Sequence, residues 1–186
     1  KKAKSNNWEA LPIGELVGKI ARELEGTPYV ASTLEVYPDR EVCSVNLIGL
    51  DCVTFIETTL AYARMLKKGG HKPEDLLAEV ALIRYRAGTT GDYSTRLHYM
   101  SDWLADNTSK NIIKPLDQLP GAIPFTQKVG FMSTHPASYL RLISQPDQVD
   151  KIKKRETVIN NRQLKYVPMN KIAAIEPLLK TGDIVA

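Results

Sequence analysis

Cys52 stands directly after Asp51 and ahead of Val53-Thr54-Phe55-Ile56-Glu57, where apolar positions begin to recur at helical spacing. Asp is a preferred helix N-cap, so this spacing predicts a helix that begins at Cys52 and runs to about Lys68. A helix N-terminus presents unpaired N–H groups and about half a positive charge. That field favours thiolate over thiol, and the same N–H groups can hold an oxyanion. A cysteine placed after a turn, at the start of a long apolar-striped helix, is arranged as a nucleophile for acyl transfer. The other reading is a small buried hydrophobe, and position alone leaves both open.

A cysteine nucleophile needs an imidazole to carry its proton. His71 follows Gly69-Gly70 in a turn between helices and is expected at the surface. His135 precedes Pro136 at a helix start and is expected in a capping or surface role. His98, in Arg96-Leu97-His98-Tyr99, is the best placed for a site, with a structural role as its alternative. None of the three has the strand context of a partner for a helix-borne cysteine. Cys43 lies in an alternating stretch beside Val45 and Leu47, where a packed core thiol is expected. Two cysteines without a CxxC spacing make neither a disulfide scaffold nor a zinc site. They could pair with each other, but the nucleophile reading requires both thiols to be free.

Several elements must position these residues. Apolar residues at 13, 16, 17, 20, 21 and 24 predict an amphipathic helix, ended by Gly26-Thr27-Pro28. Tyr29 to Val36 reads as extended, and alternation over Glu41 to Leu47 reads as a strand. The Cys52 helix has Val53, Ile56, Leu60, Ala63 and Leu66, widened by Phe55, as its expected buried stripe. Gly69-Gly70 stops it, and Pro73 opens a second helix to about Arg86. Gly88 to Gly91 is a loop. Helical segments are expected over His98–Leu104, after Pro136 and over Pro146–Glu156. An extended piece is expected over Arg162–Val167, a last helical turn over Asn170–Ile175 and a strand from Gly182. A strand, a long helix, many further helices and a late strand make an α+β fold.

The chain has 186 residues, enough for one domain with an insertion. Its charged fraction of 25% is ordinary for a globular protein and argues against wholesale disorder. No stretch reaches the roughly 20 apolar residues of a membrane span. The net charge of +4 is dispersed. Its densest run, Lys151-Ile152-Lys153-Lys154-Arg155, reads as a solvated helix face rather than a nucleic-acid patch.

Six blocks stand in one order: Gly26-Thr27-Pro28-Tyr29-Val30 with Leu34-Glu35; Val45-Asn46-Leu47; Leu50-Asp51-Cys52-Val53-Thr54-Phe55-Ile56-Glu57; Arg96-Leu97-His98-Tyr99; Asp102-Trp103; and Gly182-Asp183-Ile184-Val185. Together they resemble the DUF1460 family of NlpC/P60-like bacterial cell-wall amidases, over roughly Thr27 to the end. The Asp-Cys-Val-Thr-Phe block is the most specific.

The resemblance implies a papain-like α+β domain with a large helical insertion. Residues 1–50 would hold an N-terminal helix and strand, 51–69 the nucleophile helix, 70–180 the mostly helical insertion and 181–186 the start of the core sheet. It implies an N-acetylmuramoyl-L-alanine amidase, which cuts the amide between the muramic acid lactyl group and L-Ala, in some members on 1,6-anhydro muropeptides. Cys52 would be the nucleophile, and Asp51, Tyr29, His98 and Tyr99 would face substrate. Asp51 has an N-cap as its alternative role, Tyr29 a packed aromatic, and Trp103 is expected in the core rather than under a sugar. Thiolate chemistry needs neither metal nor cofactor. The expected partners are muropeptides, with no nucleic acid, in an exported and periplasmic protein. In that family the general base is a histidine on a strand after the Gly-Asp-Ile-Val segment, so it is expected beyond Ala186, in a domain stopped at its late sheet. The alternatives are a stem-peptide endopeptidase and an inactive muropeptide-binding module.

Overall fold

The structure, a computed structural model, describes residues 1–116 and 118–185. A short turn of helix, α1 (Lys2–Ser5), precedes the first amphipathic helix, α2 (Ile13–Glu23). Leu16 and Ile20 of α2 are buried, and Gly26, at φ +83°, turns the chain out of it. The helix headed by Cys52 is α3 (Cys52–Lys67), and α4 (Pro73–Arg84) follows, opened by its proline. Both α2 and α4 pack on α3. Leu60, Ala63 and Leu66 are buried as the apolar stripe requires, but Val53 and Ile56 are only half-buried. Thr54, Glu57, Thr58, Thr59, Ala61 and Met65 are buried as well, because a helix flanked on two sides covers more than one stripe.

The chain divides into two compact units. The first holds Lys1–Val36, Val42–Thr90 and the chain from Lys180 onward; the second holds Tyr37–Glu41 and Gly91–Leu179. The second unit contains α5 (Met100–Ser109), β1 (Ile123–Phe125), α6 (Phe131–Thr134), α7 (Leu140–Ser144), α8 (Asp147–Asn160), β2 (Leu164–Tyr166) and α9 (Ile172–Ile175). The strands pair antiparallel, Ile123 opposite Tyr166 and Phe125 opposite Leu164. Tyr93, Met132, Leu142 and Ile152 form a core cluster there, and Trp103 is buried, as a core aromatic should be. The architecture is therefore a helix-rich α+β one.

The sequence pattern differs from the structure in several places. Glu41 to Leu47 alternates but forms no ladder among the described residues. Two of its carbonyls are taken by side chains instead. The Tyr85 hydroxyl donates to Val42 O at 3.1 Å, and the Arg84 guanidinium donates to Ser44 O at 2.6 Å. Cys43, expected in the core, is only half-buried, with its Sγ 3.8 Å from Leu77 O. The stretch from Tyr29 to Val36 is extended only at its start. Ser32 adopts φ +61° and its carbonyl accepts from Glu35 N, closing a turn. α5 begins at Met100, after His98 and Tyr99, and α8 runs on to Asn160. Residues 183–185 enter no ladder among the described residues, and Ala186 of the expected last strand lies outside them. The basic run in α8 is largely a solvated face: Lys151, Lys153 and Lys154 are exposed, Arg155 is half-buried and Ile152 is buried.

Candidate active site

Pro28 to Val30 runs beside Leu50 as an isolated parallel bridge. Leu50 N donates to Pro28 O at 3.0 Å, and Val30 N donates to Leu50 O at 3.1 Å. Leu50 itself is buried, which anchors the residue just before Asp51. This seating places Tyr29 alongside the turn into α3, with the residue 74% exposed. A residue that open is not a packed aromatic. Gly49 makes the approach possible, since a Cβ there would lie 2.7 Å from Cγ2 of Val30.

Asp51 caps α3. Its Oδ1 accepts from Thr54 N at 2.7 Å and from the Thr54 hydroxyl at 2.8 Å, while Thr54 Oγ1 accepts from Asp51 N at 2.8 Å. This reciprocal capping box satisfies two groups that the helix start would otherwise orphan. Phe55 N donates to Asp51 O at 2.9 Å. Cys52 therefore sits on the first residue of a well-capped sixteen-residue helix, and it is exposed. Exposure removes the buried-hydrophobe reading. Neither cysteine is in a disulfide.

Beneath this start, α3 is tied to α4 by charge. Arg84 Nε donates to Glu57 Oε2 at 2.7 Å, with both side chains 2% exposed. The same guanidinium holds Ser44 O, so one buried cation joins α3, α4 and the segment leading to Cys52. Sequence reading missed this clasp. The available signal was Glu57, a charge set between apolar positions of the expected stripe.

The structure brings Tyr29, Asp51 and Cys52 together in the first unit. His98 and Tyr99 belong to the second unit and are described by their partners there. The His98 ring packs 4.3 Å from the Tyr93 ring, and its Nε2 lies 2.7 Å from Tyr93 O. The Tyr99 hydroxyl donates to Glu156 Oε1 at 2.7 Å and accepts from Met132 N at 3.2 Å. Burial, then this bond to a carboxylate, pushes the Tyr99 phenol well above its usual value. His71 is half-exposed, 3.9 Å from Glu9. His135 stacks on Phe131 at 4.3 Å at the surface. Among the described residues, no three His, Cys, Asp or Glu side chains gather as metal ligands, and no helix is long and apolar enough to cross a membrane.

Residues 19–186 match the model of a family described as AmiA-like, N-acetylmuramoyl-L-alanine amidase-like. Among solved structures, an N-acetylmuramoyl-L-alanine amidase from Bacteroides uniformis superposes with a TM-score of 0.81 at 28% identity, covering 91% of this chain and 71% of that one. A Bacteroides fragilis protein provisionally named a xylanase superposes with a TM-score of 0.74 at 31% identity, over 82% of this chain and 66% of that one. A Legionella pneumophila protein assigned to DUF1460 is similar in fold alone, at 17% identity and a TM-score of 0.61, over 91% of this chain and 61% of that one. No curated protein matches the chain.

Proposed function

The chain belongs to the AmiA-like, N-acetylmuramoyl-L-alanine amidase-like family, and from that premise we propose that it is a cysteine hydrolase cutting the N-acetylmuramoyl–L-alanine amide of peptidoglycan fragments. The observation that carries the cysteine mechanism is an exposed free thiol on the first residue of a capped helix. The Cys52 thiolate attacks the lactyl carbonyl and forms a tetrahedral intermediate. Asp51 already takes the amides of Thr54 and Phe55, so the oxyanion falls to the amides of Cys52 and Val53. Collapse expels the L-Ala amine with a proton from an imidazole, and water hydrolyses the thioester. By the family resemblance, that imidazole follows the Gly182-Asp183-Ile184-Val185 segment in the full-length protein.

Tyr29, an exposed residue beside the nucleophile turn, offers its ring to the substrate. Asp51 orders the helix start and faces the stem peptide. His98 and Tyr99 are proposed to contribute to substrate binding, as the family resemblance implies, and Tyr99 is held by Glu156. The proposed fold is a papain-like NlpC/P60 domain with residues 70–180 as its mostly helical insertion. The substrate class, including 1,6-anhydro muropeptides, assigns the protein to the periplasm.

The test is digestion of purified muropeptides by full-length protein and by Cys52→Ala. Release of intact stem peptide, read by mass, is the expected result, with turnover lost in Cys52→Ala. Undiminished turnover in the mutant overturns the mechanism, and a shortened peptide still attached to muramic acid overturns the bond assignment.

A further inference from the structure

Two glycines far apart in the chain meet backbone to backbone. A Cβ on Gly182 would lie 2.4 Å from Gly14 Cα, 2.6 Å from Gly14 O and 2.8 Å from Gly14 C. A Cβ on Gly14 would lie 2.5 Å from Thr181 O. Every one of these obstructing atoms is main chain, so none can swing aside as a side chain would. Gly182 is doubly constrained, because its φ of +92° also disfavours any Cβ. One turn along α2, a Cβ on Gly18 would meet only the methyl of Thr181, at 2.5 Å. Glycine within a helix is unfavourable, and α2 carries two, four residues apart, on the side where this segment lies. The close approach is what offsets that cost.

The seated piece is itself a closed turn. Asp183 N donates to Lys180 O at 3.0 Å, and Lys180 N donates to Asp183 Oδ2 at 2.7 Å. A prefolded turn in a glycine notch leaves the helix in one direction, since a main-chain contact has no rotamers with which to absorb error. α2 in turn packs on α3, which carries Cys52 at its head.

We propose that Gly14 and Gly182 are positioning residues, a lock that holds the Asp183–Val185 segment in one register on α2 and thereby sets the geometry of the reaction at Cys52. The role rests on the cysteine amidase reading; the lock itself does not. A displacement of about 1 Å at a reacting group can cost on the order of a hundredfold in rate. That is the scale on which the lock should be felt.

The experiment uses full-length protein with Gly14→Ala, Gly18→Ala and each of these combined with Thr181→Ser. Three quantities are read: kcat and KM on muropeptides, the rate of Cys52 alkylation by iodoacetamide, and the rate of trypsin cleavage after Lys180, which is exposed. Gly14→Ala should lower kcat by about ten- to a hundredfold at unchanged KM, with a slower Cys52 alkylation rate. It should also speed cleavage after Lys180. Gly18→Ala should show a weaker form of the same changes, reversed by Thr181→Ser because only a methyl obstructs it. Thr181→Ser should leave Gly14→Ala uncorrected. Wild-type kcat and trypsin rates in Gly14→Ala overturn the proposal, as does equal rescue of both variants by Thr181→Ser. A wild-type protein without amidase turnover overturns the functional reading and the positioning role with it. The trypsin rates alone then decide the lock, and unchanged cleavage in Gly14→Ala removes it.

Discussion

Replacing Thr54 by Val tests whether the start of α3 is held by its capping box. The two side chains have nearly the same shape, so no cavity opens at this site, where Thr54 is 3% exposed. What is lost is Oγ1, which accepts from Asp51 N at 2.8 Å and donates to Asp51 Oδ1 at 2.8 Å. The Asp51 amide is left without its acceptor, a loss of about 1–3 kcal/mol. The other half of the box survives, since Thr54 N still donates to Asp51 Oδ1. Asp51→Ala removes that half and should cost about 0.5–2 kcal/mol. Because both changes break one ring of bonds, the double variant should lose less than the sum. A loss of 2 kcal/mol would lower Tm by about 4–8 °C in a chain of this size. Urea unfolding of Thr54→Val, Thr54→Ser, Asp51→Ala and the double variant measures this, and Thr54→Ser should stay nearer wild type because it keeps the hydroxyl. If Thr54→Val unfolds within about 0.3 kcal/mol of wild type, a surface-like value, or if the double variant is additive, the box does not hold the helix start.

The buried Glu57–Arg84 pair should behave as a unit. Arg84→Met alone should cost about 3–5 kcal/mol in urea unfolding, and Arg84→Met with Glu57→Leu should cost less than that single change. Tyr99→Phe leaves Met132 N without its hydroxyl acceptor and takes one donor from buried Glu156, which should cost about 1–3 kcal/mol of stability in the same assay. Asp92 gives a pH signature. Partial burial pushes its carboxyl up, but the hydrogen bonds from Lys151 and Ser94 outweigh that and hold it below the ordinary value of 3.8. A depressed folded value means that its stabilisation is present above 3.8 and is lost as pH falls through the folded value. Wild type should therefore exceed Lys151→Ala in stability at neutral pH and converge with it in acid. A gap that persists at strongly acidic pH refutes the assignment.

The elements around Cys52 were legible because their causes are local. A capping Asp, a glycine pair and a first-turn proline act within a few residues, and they bound α3 and start α4 where the structure has them. The place of Cys52 at a helix head was legible for the same reason. The structure adds Thr54, whose side chain completes the cap, and the exposure that removes the packed-thiol alternative. Glu41 to Leu47 misled because alternation makes a strand only when another strand lies beside it, and here Arg84 and Tyr85 take two of the carbonyls. β1 went unread because three exposed residues carry no alternation.

Amino-acid order alone thus determined the amphipathic helices, their stops, and the placing of a cysteine at a helix head. Those follow from backbone preferences and side-chain periods within one or two turns. Only the tertiary structure decided which polar groups are buried together. Glu57 meets Arg84 across 27 residues, Tyr99 meets Glu156 across 57, and Gly14 meets Gly182 from opposite ends of the chain. Such pairs depend on packing between distant elements, and no local pattern encodes which distant residue will arrive.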